Sequence, residues 1–578
     1  MNHYSTYSVY ESQLHTPIAG IPAETVPTPG PNRRIGLSQT HPGYLYDLYG
    51  HRSGDLTQRL ASLTAFADYA DFVGLNYLEY NAINGADTSE TAYYPSEIWN
   101  PYRGGADLFR EFLPIAEERG FGVVPCLTSL ALDIDRFTNA PWISPLTFQI
   151  DKDGFRRRDF FANRGNDNTL PDPLRPEVQQ VFLDTLREFG ERCKDSPAVQ
   201  GLAFRLNGKI GTCYVGYNED ERGATAGYSP WDLAEFQRDT GGRLPDWDDT
   251  LTDRWAAAWK KGAKDDPAIL YIPKTYEWIH ATCWDKWLDW RCGRLTNLVL
   301  RARDLTRSFR KDWNLIANCD MPSETPDRNI LWPAGASALD LCREHGFDPR
   351  HFSNEEGVLL QQGYFLGGGE YFHHAGGGSY YQNPEAWGAF DYQPGLAELY
   401  RTPAGTSVEL YHNYWEEFGV GKLGEFGTNF WGAGMMYPRG RYFFRPLVHA
   451  LRTNNVHTLA LFSWERGSEG HEGELRRFCR AFRSLPAVAA AGFEGQVEVA
   501  AGPPADETLW VRRFGERIGI VNENGQPRTV RLTLGAVKPG QAVYEYATQR
   551  KLSSAGQAGV PVVTVEIDAF DLRVLGAD

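Results

Sequence analysis

P-E-V-Q-Q-V-F-L-D-T-L-R-E-F-G-E-R-C-K-D-S-P-A-V-Q-G-L-A-F-R-L, residues 176–206, holds one helix and one strand, and the fold follows from how often that pair recurs. Pro176 stands where a first helical turn tolerates proline, and Val178, Phe182, Leu186 and Phe189 form a stripe at helical spacing. V-Q-G-L-A-F-R-L, residues 199–206, then reads as a mostly apolar strand of the kind a parallel sheet buries on both sides.

The same alternation runs in both directions. Upstream, the pattern predicts strands over 34–40, 71–77 and 122–127, with helices over 55–69 and 106–118 between them; Gly120 marks the end of the second helix. Downstream, a long amphipathic helix is expected over 275–310, then strands at 314–320, 358–362, 408 onward and 458–464. Ser337 caps a helix that stops at Gly346, a poorly marked helix falls between 383 and 400, and further helices are expected over 442–452 and 472–483. Eight strands, each returning through a helix, is the number at which a parallel sheet closes with a filled interior, so the expected fold is α/β, a (β/α)8 TIM barrel. No G-x-G-x-x-G follows the first strand, which removes the main signature of an open dinucleotide-binding sheet.

From about residue 495 the period changes to two. Segments 496–500, 508–514, 517–523, 529–534, 543–548 and 562–575 alternate, with turns such as Asn524-Gly525 between them, and predict a C-terminal antiparallel β-sandwich over 495–578. The expected organisation is therefore a turn-rich arm or remnant of a preceding domain over 1–32, a barrel over 33–490 with insertions near 128–172, 207–272 and 363–400, and the sandwich.

Composition narrows the partners. A net charge of −16 offers no basic surface to nucleic acid or to an anionic membrane, while 17 Trp and 29 Tyr favour a ligand that stacks on rings, as a neutral carbohydrate does. The eight cysteines are scattered without a C-x-x-C pair and read as reduced core residues. The start carries no basic-then-apolar leader, consistent either with the cytoplasm or with a piece of a larger exported enzyme, and localisation and oligomeric state stay open.

In such a barrel the chemistry gathers at the carboxyl ends of the strands. The seventh strand runs on as V-E-L-Y-H-N-Y-W-E-E-F, residues 408–418, which sets Glu416 and Glu417 beside His412, Trp415 and other rings. Cleaving a glycosidic bond needs one protonated and one ionised carboxyl group, and a sugar offers its apolar face to aromatic rings. The catalytic candidates are Asp320 after the fifth strand, Glu416 and Glu417 after the seventh, and Glu465 after the eighth; Asp320 and Glu416 are the first choice. Each has a plainer reading as a loop cap, a solvated acid or the partner of an arginine. Asn76, Tyr77, Glu79, Arg205, Asn207, Asn318, His412, Trp415 and Trp464 are the candidates for holding substrate. Glu370, His373 and His374 are close together, but their spacing is not that of a helical metal pair and glycines flank them, so no metal and no organic cofactor is expected.

The run 176–206, together with G-Y-N-E-D at 216–220, G-Y-S-P-W-D at 227–232, W-L-D-W-R-C-G-R-L at 287–295 and V-E-I-D-A-F-D-L-R-V-L at 565–575, resembles glycoside-hydrolase-like barrel proteins of bacterial polysaccharide utilisation. The resemblance is spread over most of the chain and implies a glycoside hydrolase with an accessory sandwich. In the large retaining clan of such barrels the acid follows the fourth strand and the nucleophile the seventh. Here the fourth strand ends in Arg205, Leu206 and Asn207 with no carboxylate, which moves the search to Asp320. A carbohydrate-binding barrel without catalysis, or a transglycosylase using the same pair, is the alternative.

Overall fold

The structure is a computed structural model, and it describes residues 33–40, 55–84, 91–101, 105–129, 144–155, 170–206, 211–214, 223–319, 337–365, 396–411, 441, 444–462, 472–535, 537, 541–552 and 560–577. Among these residues eight parallel strands close on themselves: β1 (Arg34–Thr40), β2 (Tyr77–Asn84), β3 (Gly122–Ser129), β4 (Gly201–Arg205), β5 (Asn314–Cys319), β6 (Val358–Phe365), β7 (Ser407–Tyr411) and β8 (Thr458–Phe462). β1 pairs with both β2 and β8, which seals the barrel. Gly36 lies on that seam, where a Cβ would come within 1.7 Å of the Tyr77 carbonyl oxygen. Only a residue without a side chain permits that approach.

Period-two alternation separates two cores. Ile35, Leu37, Leu78, Leu202, Phe204, Leu315, Leu360, Leu410 and Leu461 point outward and share one cluster with the helices. Tyr77, Val124, Cys126, Ala203, Ile316 and Leu359 point inward and form a separate one. The helices that cover the barrel are α1 (Leu56–Val73), α2 (Leu108–Arg119), α3 (Pro176–Cys193), α7 (Trp284–Phe309), α8 (Ala338–Glu344), α9 (Leu396–Leu399), α10 (Arg445–Asn454) and α11 (Glu472–Ser484). The α3 stripe read from sequence, Val178, Phe182, Leu186 and Phe189, is buried as expected. Between β4 and α7 the insertion contributes α4 (Pro230–Thr240), α5 (Leu251–Lys260) and α6 (Pro267–Thr282).

Three boundaries differ from the sequence reading. The second strand was expected over 71–77, but α1 continues through Val73, Gly74 ends it at φ +81°, and the strand starts at Tyr77. The D-F-V run looks strand-like, yet Phe66, Ala70 and Val73 keep to one helical face. The long helix expected over 275–310 is two helices broken at Cys283, whose backbone leaves the helical region (φ −148°, ψ 32°). The last strand, expected as 562–575, divides into two that turn at Phe570 (φ +48°) and belong to different sheets. Much of the segment expected to hold the sixth helix lies outside the described residues, which show α9 at its end.

The C-terminal strands are β9 (Ala491–Gly492), β10 (Val497–Ala501), β11 (Leu509–Phe514), β12 (Arg517–Asn522), β13 (Arg528–Thr533), β14 (Val543–Glu545), β15 (Arg550–Leu552), β16 (Val562–Ile567) and β17 (Asp571–Ala577). They form one sheet in the order β9-β11-β12-β17-β14-β15 and another in the order β10-β13-β16. Val511, Ile520, Val543 and Leu575 of the first meet Val530, Leu532, Val563, Val565 and Ile567 of the second, the core of a β-sandwich. The opposite face of the larger sheet brings Phe514, Val521, Leu572 and Val574 into the barrel cluster beside Phe478 and Phe482 of α11. Polar clamps reinforce that contact. Glu523 lies 2.6 Å from His449 Nδ1 and also accepts from Arg452, while Arg441 reaches both Glu474 (2.9 Å) and Asp571 (3.3 Å). Among the described residues, no helix is long and apolar enough to cross a membrane.

Candidate functional site in the barrel interior

The inward positions of the strands carry an unusual set of residues. Arg205, Asn318, Gln361, Ser407, Thr458 and Arg34 are successive register partners from β4 round to β1. Barrel interiors are commonly filled by branched apolar side chains; here a polar row descends from Arg205 at the carboxyl end of β4 to Arg34 at the amino end of β1. Gln361 Nε2 donates to Ser407 Oγ within that row, at 3.1 Å.

Glu79 reaches across the lumen from β2 to meet the row. Its Oε1 accepts from Tyr77 OH and from Gln361 Nε2, both at 2.7 Å, and its Oε2 accepts from Asn318 Nδ2 at 3.2 Å. Glu79 and Glu409 are both completely buried. Burial, followed by the charge of Glu409, pushes the Glu79 carboxyl up to about 7, and its three donors only partly offset that rise. Because both amides turn their nitrogens toward Glu79, their oxygens face elsewhere. Asn318 Oδ1 and Gln361 Oε1 are buried with no hydrogen-bond partner among the described residues.

A second buried carboxyl pair ties the insertion to the loop before α3. Asp172 accepts from the Leu174 N–H at 3.0 Å, and Asp232 accepts from the Ser229 hydroxyl at 2.8 Å. Burial raises both, Asp172 further still because Asp232 lies beside it, and Asp232 stands at about 6. The Arg291 guanidinium stacks 3.6 Å above the Tyr214 ring in the same cluster.

The sequence candidates fall into three groups. Glu79, Arg205 and Asn318 share the barrel interior, with Arg205 last in β4 and Asn318 next to last in β5. Asn76 and Tyr77 sit at the amino end of β2, since that strand starts later than its sequence suggests; Asn76 Oδ1 accepts from the Ile35 N–H at 2.9 Å and so joins β2 to β1. Asp320, Glu416, Glu417, Glu465, Asn207, His412, Trp415 and Trp464 lie outside the described residues, as do Glu370, His373 and His374. Sequence reading passed over Glu409, although a signal was present: Val408 and Leu410 both face outward, so the residue between them must face in. Asp172 and Asp232 are 60 residues apart, and nothing in either neighbourhood joins them.

No family model matches this chain, and no curated protein matches it. Among solved structures it is similar to an alpha-amylase from Geobacillus thermoleovorans complexed with acarbose, at 11% identity and TM-score 0.41 over 94% of this chain and 98% of that one. It is also similar to a GH29 alpha-L-fucosidase from Bacteroides thetaiotaomicron, at 10% identity and TM-score 0.39 over 96% and 98% of the two chains. A GH30 endoxylanase from Clostridium papyrosolvens C71 has 11% identity and TM-score 0.36 over 95% and 98%.

Proposed function

We propose that the chain is a glycoside hydrolase that cleaves a glycosidic bond in a neutral polysaccharide or oligosaccharide with two carboxyl groups. The observation that carries this reading is the direction of the strands. β5 and β7 run parallel in one closed barrel, separated by β6, so their carboxyl ends open on the same rim. In sequence Asp320 follows β5 at once, and Glu416 and Glu417 follow β7 five and six residues after Tyr411. A barrel rim with acids arriving from several strands is where such chemistry is assembled. The polar row beneath it supports the same reading, because Arg205 and Asn318 bring polar groups to the carboxyl ends of β4 and β5, where the interior meets the mouth, and the Asn318 oxygen has no partner among the described residues.

In this mechanism one carboxyl group donates a proton to the leaving oxygen while the other, ionised, attacks the anomeric carbon or activates a water. Asp320 and Glu416 are assigned to these two tasks, with Glu417 and Glu465 as the neighbouring acids at the rim. A carboxyl separation of about 5 Å gives retention of configuration, and one of roughly 6.5–9.5 Å gives inversion. The test is turnover of a panel of neutral oligosaccharides by the native chain and by D320N, E416Q, E417Q and E465Q. Loss of cleavage with sugar binding retained in the Asp320 and Glu416 variants supports the assignment, and unchanged turnover in all four removes it.

A further inference from the structure

We propose that Glu79 is a positioning residue: from the opposite wall of the barrel it fixes the side-chain amides of Asn318 and Gln361, and so aims their oxygens as hydrogen-bond acceptors for a substrate hydroxyl. This inference rests on the proposed glycosidase reading for the identity of the ligand, but not for the positioning itself.

Three observations carry it. First, Glu79 spans the lumen, since β2 lies across the barrel from β5 and β6, yet its two oxygens take one N–H from each of Asn318 and Gln361. Second, the two amides sit in adjacent strands at paired register, so one carboxyl group orients both together. Third, each amide is left with one buried oxygen that no described residue satisfies. Buried acceptors without donors are costly, and a bound hydroxyl or an ordered water can complete them.

A purely structural role is a poor explanation of this arrangement. Filling the same space with an apolar side chain is commonly neutral or stabilising, because a buried carboxyl group loses its hydration. The residues around the lumen set the charge of the group: burial and Glu409 favour its protonated form, while its three donors favour the ionised one. Glu409 on β7 is a second buried acid, Tyr77 on β2 and Cys126 on β3 are neutral, and β5, β6 and β8 contribute the neutral Asn318, Gln361 and Thr458. Arg34 on β1 and Arg205 on β4 supply the cations, one at each end of the polar row. Oε1 accepts from Tyr77 and Gln361 and Oε2 from Asn318, so both oxygens take part in holding the amides.

The experiment compares crystal structures and kinetics of the native chain, E79L and E79Q. In E79L the Asn318 and Gln361 side chains are expected to leave their native rotamers and kcat to fall by about tenfold or more, with KM changed less. E79Q still accepts from Tyr77 and Gln361 but turns an N–H toward Asn318, so Gln361 is expected to keep its rotamer, Asn318 to turn, and only part of the loss to be recovered. Native rotamers in E79L overturn the proposal whatever the activity. If the amides move but the native chain cleaves no glycoside, positioning stands and the glycosidase reading falls. Should E79L fail to fold, the Asn318 and Gln361 side-chain NMR signals decide: they should titrate near pH 7 in the native chain and stay constant in E79Q, and titration in both overturns the proposal.

Discussion

Glu79 shows how one buried side chain sets the pH response of the molecule. Its carboxyl group stands at about 7 when folded, against an ordinary value of 4.5. Below pH 4.5 it is protonated in both folded and unfolded chains; between about 4.5 and 7 only the folded chain keeps the proton, so the stability it contributes is lost as pH rises through that window. Denaturant titrations at pH 5 and pH 7.5 should show the native chain losing about 2 kcal/mol more than E79Q over this interval. Equal losses would remove Glu79 as the source. Asp172 and Asp232 follow the same sign, with burial raising both. In D172N the new amide can donate to the Asp232 carboxylate, so stability above pH 6 should rise by about 1–2 kcal/mol, measured by the same titration. At this scale the sequence was partly legible. Glu79, Arg205 and Asn318 are legible as polar residues at strand ends, with Glu79 expected just past the second strand, but their meeting in the interior depends on closure and shear, which bring residues 239 positions apart into contact and leave no local trace.

The elements were the most legible part, because helix and strand are written in local periods. Val178, Phe182, Leu186 and Phe189 marked α3, and alternation marked the strands of the sandwich. The reading failed where two signals overlapped. The last turn of α1 resembles the start of a strand, and the helix break at Cys283 falls in A-T-C-W-D, which contains neither glycine nor proline. Two substitutions test the elements directly. At Gly36 any side chain meets the Tyr77 carbonyl, so G36A should open the β1–β2 seam and cost several kcal/mol, on the order of 3 or more. A change below 0.5 kcal/mol would show that the seam can relax. At the start of α1, the Asp55 carboxylate accepts from the Gln58 N–H at 3.0 Å, and the Gln58 side chain answers to the Asp55 N–H at 3.2 Å. D55A should therefore cost about 1 kcal/mol without changing the fold.

Across the whole molecule, the sandwich packs on the helical layer of the barrel and shares its apolar cluster. Its larger sheet buries Phe514, Val521, Leu572 and Val574 against the same cluster that holds α11. Arg33, completely buried, donates to Asn455 at 2.7 Å and lies over the Phe482 and Phe514 rings at 5.7 and 4.9 Å. A chain ending at residue 490 should aggregate or unfold, which sedimentation and circular dichroism would reveal, since it exposes this apolar face. Within the contact, burial tends to raise the Glu523 carboxyl, but His449 and Arg452 outweigh it and hold the group below the ordinary range. Its contribution is present at neutral pH and lost as pH falls through the lowered value. Removing the group in E523A should cost about 3 kcal/mol, because it takes away the buried carboxylate that bridges Arg452 and His449 at the interface. The same architecture sends β5 and β7 to one rim, and the sequence that follows each strand supplies the acids. The most direct test is to measure the reducing ends released from neutral oligosaccharides by the native chain, D320N and E416Q. Steady release by the native chain, reduced about a hundredfold or more in both variants, is the expected result. Sugar that binds but is never cleaved by the native chain, or release unchanged by both substitutions, would contradict it.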